Sequence, residues 1–294
     1  MATGKISAMG YVALRTAQFD AAVRSAADVL GLHPVELSGS KAYMSAARTH
    51  HELIYMKDDE SSVDHFGVVA ASRDDLAAIR EKVRDGGWQV ISEHPIEDHI
   101  EEGFAFVGPE GYTWHVYFGI SILFDPAGSL APDRYGHINF FVDDSIAMRD
   151  FLVNVFEFEV SDQIGDDGAF FLRCNAEHHG VAIVKRFGNL SLGLHHHAWQ
   201  MQDIAHMGRL ADRLSQQGSK LLWGPSRHGA GKNIASYYVE PTGNVVELYS
   251  NMEYIYDPNR GVLRWEIGDL DATNLWGTTL VDFSASKALP PFRR

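Results

Sequence analysis

The chain has a single cysteine, Cys174, among 294 residues, so it has no disulfide framework to hold it together. It also lacks any apolar run approaching the roughly 20 residues that a membrane-spanning helix needs, which excludes such a helix. Positive charge is scarce: 25 Lys and Arg stand against 39 Asp and Glu, a formal net charge of -14. A surface of that sign repels phosphate backbones and disfavours nucleic acid as a partner. The opening MATGKISAMGYVALR has neither the continuous apolar segment nor the small-residue cleavage site of a secretory signal. Together with the lone cysteine, this leads us to expect a cytoplasmic protein that acts on a small molecule.

Histidine, in contrast, is abundant, with 15 in the chain. Four histidine-bearing stretches lie in the second half: YGHINFFVDD at 135–144, AEHHGVAIV at 176–184, LHHHAWQM at 194–201 and SRHGAG at 226–231.

The two halves repeat one another. FAFVGPEGYTWHVYF at 104–118 has the pattern of SYYVEPTGNVVELYS at 236–250, an alternating strand, a Pro-x-Gly turn and a second alternating strand, with Gly111 and Gly243 132 residues apart. His65 and His196, 131 apart, each open a strand that runs into an amphipathic helix ending at glycine, and a third pair of segments sets Tyr11 against His137 at a separation of 126. Offsets this close argue for duplication. Ser72 is placed to cap a helix whose apolar positions include Leu76, Ile79 and Val83, and Leu210 and Leu214 mark one face of a helix that Gly218 can end. The expected fold class is α+β, built of four similar strand and helix modules. The Pro- and Gly-bearing stretch 124–134 reads as the linker between the halves.

Alternation along a strand puts His137 and Asn139 on one face, and Glu247 on a face with Val245 and Tyr249. A glutamate in so apolar a run needs compensation, which a divalent cation supplies. In LHHHAWQM, His196 shares a face with Ala198 and Gln200 while His195 and His197 share the other, and parity alone does not choose between the faces. If Pro-Thr-Gly is a hairpin loop centred on Thr242, Tyr237 lies directly across from Glu247.

From about residue 8 to residue 252 the chain resembles the extradiol, ring-cleaving catechol dioxygenases of the vicinal oxygen chelate superfamily, of the catechol 2,3-dioxygenase and homoprotocatechuate 2,3-dioxygenase type. The most specific part is HGAGKNIASYYVEPTGNVVE from His228 to Glu247, followed by GHIN at 136–139 and HHAW at 196–199. The resemblance implies two tandem domains, each of two βαβββ modules. It implies metal ligands His137, His196 and Glu247 for Fe(II), with Mn(II) as the substitute, since the His and carboxylate set does not separate the two sharply. It also implies catalytic roles for His179, His228 and Tyr237, with Asn139 beside the oxygen pocket; His178 takes the place of His179 if the register slips by one. His195 and His197 are read as packed or solvent-facing and not as ligands. The implied reaction inserts both atoms of O2 into a small aromatic diol with meta cleavage, as in aromatic-compound degradation, by a homo-oligomer.

Residues 1–123 then form an N-terminal domain in which Tyr11, His65 and His115 match the ligand positions and no carboxylate does, so no functional metal site is expected there. Residues 135–252 form the catalytic domain. The tail 253–294 is expected either to close the pocket, bringing Arg260, Arg264 or Trp265 toward substrate, or to make a subunit contact. A metal-dependent isomerase or lyase and a non-enzymatic ligand-binding protein of the same superfamily are the alternative functions.

Overall fold

The computed structural model describes residues 4–46, 48–123, 130–277 and 286–292. Its first half forms β1 (Ile6–Thr16), α1 (Phe19–Ser25), β2 (His33–Leu37), β3 (Lys41–Ser45), β4 (Leu53–Lys57), β5 (Ser62–Ala70), α2 (Arg73–Asp85), β6 (Gln89–Ser92), β7 (Ile100–Val107) and β8 (Thr113–Ile120). The second half forms β9 (Arg134–Val142), α3 (Ser145–Phe156), β10 (Glu159–Ile164), β11 (Ala169–Arg173), β12 (Val181–Lys185), β13 (Gly193–Gln200), α4 (Ile204–Gln216), β14 (Trp223–Arg227), β15 (Ile234–Val239), β16 (Val245–Ser250) and β17 (Leu263–Trp265). Among the described residues these make an eight-stranded sheet ordered β2-β3-β4-β1-β5-β8-β7-β6 and a nine-stranded sheet ordered β14-β15-β16-β13-β9-β12-β11-β10-β17. Read from opposite ends the two orders coincide element by element, except for β17, which the tail adds in parallel beside β10. The duplication read from the sequence is therefore a duplication of topology, with two βαβββ modules in each half. Of the expected linker 124–134, residues 124–129 lie outside the described residues.

Local signals explain the helix ends. Ser72 accepts a hydrogen bond from the amide of Asp75, while Asp144 and Asp203 do the same for α3 and α4, satisfying amides that a helix start leaves open. Gly218, at φ +76, turns the chain after α4 in the left-handed region that glycine occupies without a side-chain clash.

The helices and the sheet faces behind them share one apolar core spanning both halves. Phe66 of β5 stacks on Phe140 of β9, with ring centroids 5.9 Å apart. Trp114 packs on Phe151 and Phe156 of α3. The opposite sheet face is left to other contents. In the first half Tyr11, Ala13, Tyr43, Ile54 and Tyr117 fill it. In the second half it lines a cavity.

Candidate metal centre

Three neighbouring strands of the second sheet build the site. Ala198 of β13 pairs with His137 of β9 on one side and with Glu247 of β16 on the other, and His196 lies two residues along on the same face. The small side chain of Ala198 leaves room for the larger groups to converge. His137 Nε2 is 3.2 Å and His196 Nε2 3.0 Å from Glu247 Oε2. The three ligand atoms lie within 4.8 Å of one another, and all three residues are buried. Burial alone would raise the Glu247 carboxyl, but the two imidazoles hold it well below the ordinary carboxylate range. Asn233 Nδ2 donates to its other oxygen at 3.1 Å.

This donor set fits a divalent cation. Two imidazole nitrogens crowd one carboxylate oxygen inside a buried pocket, and His137 Nδ1 is buried without a hydrogen-bond partner. Two imidazoles and a carboxylate on one face form the arrangement that leaves further coordination positions open.

Gly136 carries the first histidine for a steric reason: a Cβ there would lie 2.2 Å from Tyr249 Oη. The hairpin is as read from the sequence. Tyr237 pairs with Glu247, and Gly243 turns at φ +88. Tyr237 Oη lies 2.7 Å from His228 Nε2, and His228 Nδ1 bonds the carbonyl of Thr273. A carbonyl only accepts, so Nδ1 carries the hydrogen and Nε2 of the neutral ring is left as an acceptor toward the phenol, which the Glu247 carboxylate also engages. Burial holds the His228 imidazole toward its neutral form and pushes the Tyr237 phenol well above the ordinary tyrosine range, which keeps its proton in place. The tail, expected either to close the pocket or to make a subunit contact, supplies this Thr273 carbonyl.

His179 is buried with its ring centroid 4.3 Å from that of His137, and burial holds it well below the ordinary histidine range. Asn139 lines the same space with its Oδ1 buried and without a hydrogen-bond partner. The cavity is about 1260 Å³, and much of its wall is apolar: Phe141, Ile164, Phe171, Val184, Leu190, Trp223 and Ile267. Thus all seven residues singled out in the sequence line one cavity. His195 lines it as well, at a register shift between Leu194 and His196 that breaks the strand's alternation. Its Nδ1 is 2.9 Å from His196 Nδ1. Asn233, the Thr273 carbonyl and this bulge carried no local sequence signal.

In the first half the counterpart of His137 is Tyr11, whose hydroxyl lies 3.0 Å from His65 Nε2 and 2.5 Å from His115 Nδ1. The phenol oxygen thus occupies both imidazoles at once. Arg260 and Trp265 do not line the cavity; they bond Asp162 behind it.

A family profile described as the Glyoxalase/Bleomycin resistance protein/Dioxygenase superfamily matches residues 8–116 and 134–248. A Mn(II)-bound glyoxalase from Novosphingobium aromaticivorans superposes with a TM-score of 0.85 at 31% identity, covering 93% of this chain and 91% of that one. Homoprotocatechuate 2,3-dioxygenase from Arthrobacter globiformis superposes at 0.89 over 98% of this chain and 92% of its own, but at 20% identity this likeness shows the fold alone. A manganese-dependent 2,3-dihydroxybiphenyl 1,2-dioxygenase of Geobacillus genomosp. 3 is 22% identical over 93% of this chain and 94% of its own. With both repeats matched, the chain belongs to the glyoxalase, bleomycin resistance protein and dioxygenase superfamily.

Proposed function

We propose that the chain is a metal-dependent extradiol dioxygenase that cleaves a catechol beside its hydroxyls, with His137, His196 and Glu247 as ligands to Fe(II) or Mn(II). One observation carries this reading: the three ligand groups open onto an apolar cavity whose ligand end also holds His179, Asn139 and the Tyr237 and His228 pair. The bound ion would supply a single centre at which the diol oxygens and dioxygen meet and electrons pass between them. Tyr237, held beside His228, orients the oxygen of a bound diol. His179, held neutral, is able to take a proton and return it. The apolar wall excludes water from the ring.

The cavity volume supports a catechol bearing a bulky, uncharged substituent as substrate. At the rim, Lys185 is engaged by Asp167 and Arg186 by Asp143. Among the described residues Lys287 is the rim cation without a carboxylate partner, so a carboxylated catechol is the informative comparison.

The 31% likeness to a Mn(II)-bound glyoxalase favours a second reading, a metal-dependent isomerase or lyase. Oxygen uptake separates the two. Protein reconstituted anaerobically with Fe(II) or Mn(II) and exposed to a panel of substituted catechols is expected to consume O2 and to yield a ring-opened product identified by mass spectrometry. Glu247→Gln is expected to abolish uptake. No uptake with metal fully bound would move the assignment to the second reading.

We further propose that the first half, residues 1–123, holds no functional metal, that residues 135–252 catalyse, and that the tail from 253 closes the cavity. Ile267, Ala272 and Thr273 in its wall support the last of these. No described helix is long and apolar enough to cross a membrane. A cytoplasmic homo-oligomer is the setting we propose, on the lone, buried Cys174 and on the resemblance.

A further inference from the structure

Behind His179, on the side away from the cavity, lies a buried chain of polar groups that the proposed chemistry does not use. His178 Nδ1 is 3.0 Å from His179 Nδ1, and His178 Nε2 is 3.0 Å from Asp162 Oδ1. That second approach lies off the ideal hydrogen-bond axis, so the pairing is electrostatic before it is directional. Asp162 and His178 are both fully buried. The carboxylate also accepts from Arg260 Nη2 at 3.0 Å and from Trp265 Nε1 at 2.8 Å, both in the tail.

We infer that Asp162 and His178 are positioning residues that set which ring nitrogen of His179 carries the proton, leaving its Nε2 as the unprotonated atom for the reaction. A lone pair on His178 Nε2 would lie 3.0 Å from a carboxylate oxygen, which is electrostatically repulsive even off axis, so Nε2 carries the hydrogen. A neutral ring carries one hydrogen, and on His178 the carboxylate holds it at Nε2. The Nδ1 of the neutral His178 is then an acceptor, and the one hydrogen available between the two facing Nδ1 atoms belongs to His179. His179 Nε2 is left with its lone pair free. The contacts that hold Asp162 below the ordinary aspartate range are these same partners, acting against the burial that would raise it.

The duplication supplies an independent instance. Glu36 of β2 and Asp162 of β10 follow equivalent register shifts in corresponding strands, opposite Tyr43 and Phe171 respectively. Glu36 Oε1 lies 3.4 Å from His50 Nε2, and His50 Nδ1 lies 3.0 Å from His51 Nδ1. The acid, histidine, histidine arrangement therefore belongs to the repeated unit. In the first half Glu36 is half exposed and His99 takes the place of Arg260 as its second partner. Glu36, His50 and His99 also bring ligand atoms within 4.8 Å. The rings of His50 and His99, however, stack flat with centroids 3.7 Å apart, which keeps their in-plane lone pairs in separate, nearly parallel planes.

The inference rests on the dioxygenase reading only for its catalytic meaning, and the deciding experiment does not need activity. Long-range 1H–15N NMR of the metal-free, 15N-histidine-labelled protein, with His179 assigned by difference from His179→Gln, reports which ring nitrogen is protonated. The expected result is the Nδ1–H form in the wild type and a shift toward Nε2–H in Asp162→Asn. In the metal-loaded enzyme Asp162→Asn is expected to lower kcat by about 10- to 100-fold with KM changed less than about threefold. An Nε2–H His179 in the wild type overturns the inference, and that spectrum decides even if the variant does not fold. An Nδ1–H form that persists in a folded Asp162→Asn overturns the role of Asp162. An Nδ1–H wild type that shifts in the variant but is inactive on every diol supports the inference and removes the dioxygenase reading instead.

Discussion

At the scale of single residues, each candidate group owes its chemistry to one neighbour. Ala198 spaces His137 from Glu247, Asn233 engages the free oxygen of Glu247, and the Thr273 carbonyl decides the hydrogen placement on His228. The last of these gives a direction to the bond between Tyr237 and His228. Tyr237→Phe removes the donor and leaves the ring in place, so metal binding is expected to persist while kcat falls by about 100-fold. Metal content and steady-state kinetics on one preparation check this; a variant with wild-type kcat would remove Tyr237 from the chemistry. Tyr11 shows the converse. A phenol at the position of His137 gives two imidazoles, His65 and His115, a hydroxyl to bond.

At the scale of elements, the tail acts as part of the second sheet. β17 extends the sheet beyond β10, and its attachment runs through Asp162, which faces His178, Arg260 and Trp265, with Glu253 sharing Arg260 at 3.2 Å. Because the folded carboxyl sits below its ordinary range, the stability it contributes is present above about pH 4 and is lost as the pH falls through the lower folded value. Trp265 fluorescence is therefore expected to report undocking of β17 on acidification below about pH 4. In Asp162→Asn that acid-dependent step should be absent. An identical acid profile in the two proteins would show that β17 is held by other contacts.

At the scale of the whole molecule, two copies of one topology share a core, and the second copy opens a cavity at the strands where His137, His196 and Glu247 converge. The cost of mixing the roles is visible in the first half, where Tyr11, Tyr43 and Tyr117 fill the sheet face that the second half leaves to substrate. Metal analysis of the reconstituted chain is expected to give one tightly bound equivalent. Glu247→Gln should lose it, and Tyr11→Phe should leave it unchanged. Two equivalents of comparable affinity would make the first half a second metal-binding domain and overturn the division of roles between the halves.

Much of this was legible before folding was considered. The offset repeats determined the duplicated α+β topology, because each half must bury the same alternating strands against the same amphipathic helices. The Pro-Thr-Gly hairpin set Tyr237 across from Glu247, because strand pairing around a short loop fixes register. The histidine and glutamate motifs, through their family resemblance, marked the seven residues that meet in the cavity. Tertiary structure alone decided the rest. The bulge that turns His195 inward, the return of the tail to place the Thr273 carbonyl on His228, and the pairing of Asp162 with His178 join residues far apart in the chain. No local period encodes such contacts: they arise from where the sheet edge lies once the core has packed, and the protons of the site are placed by them.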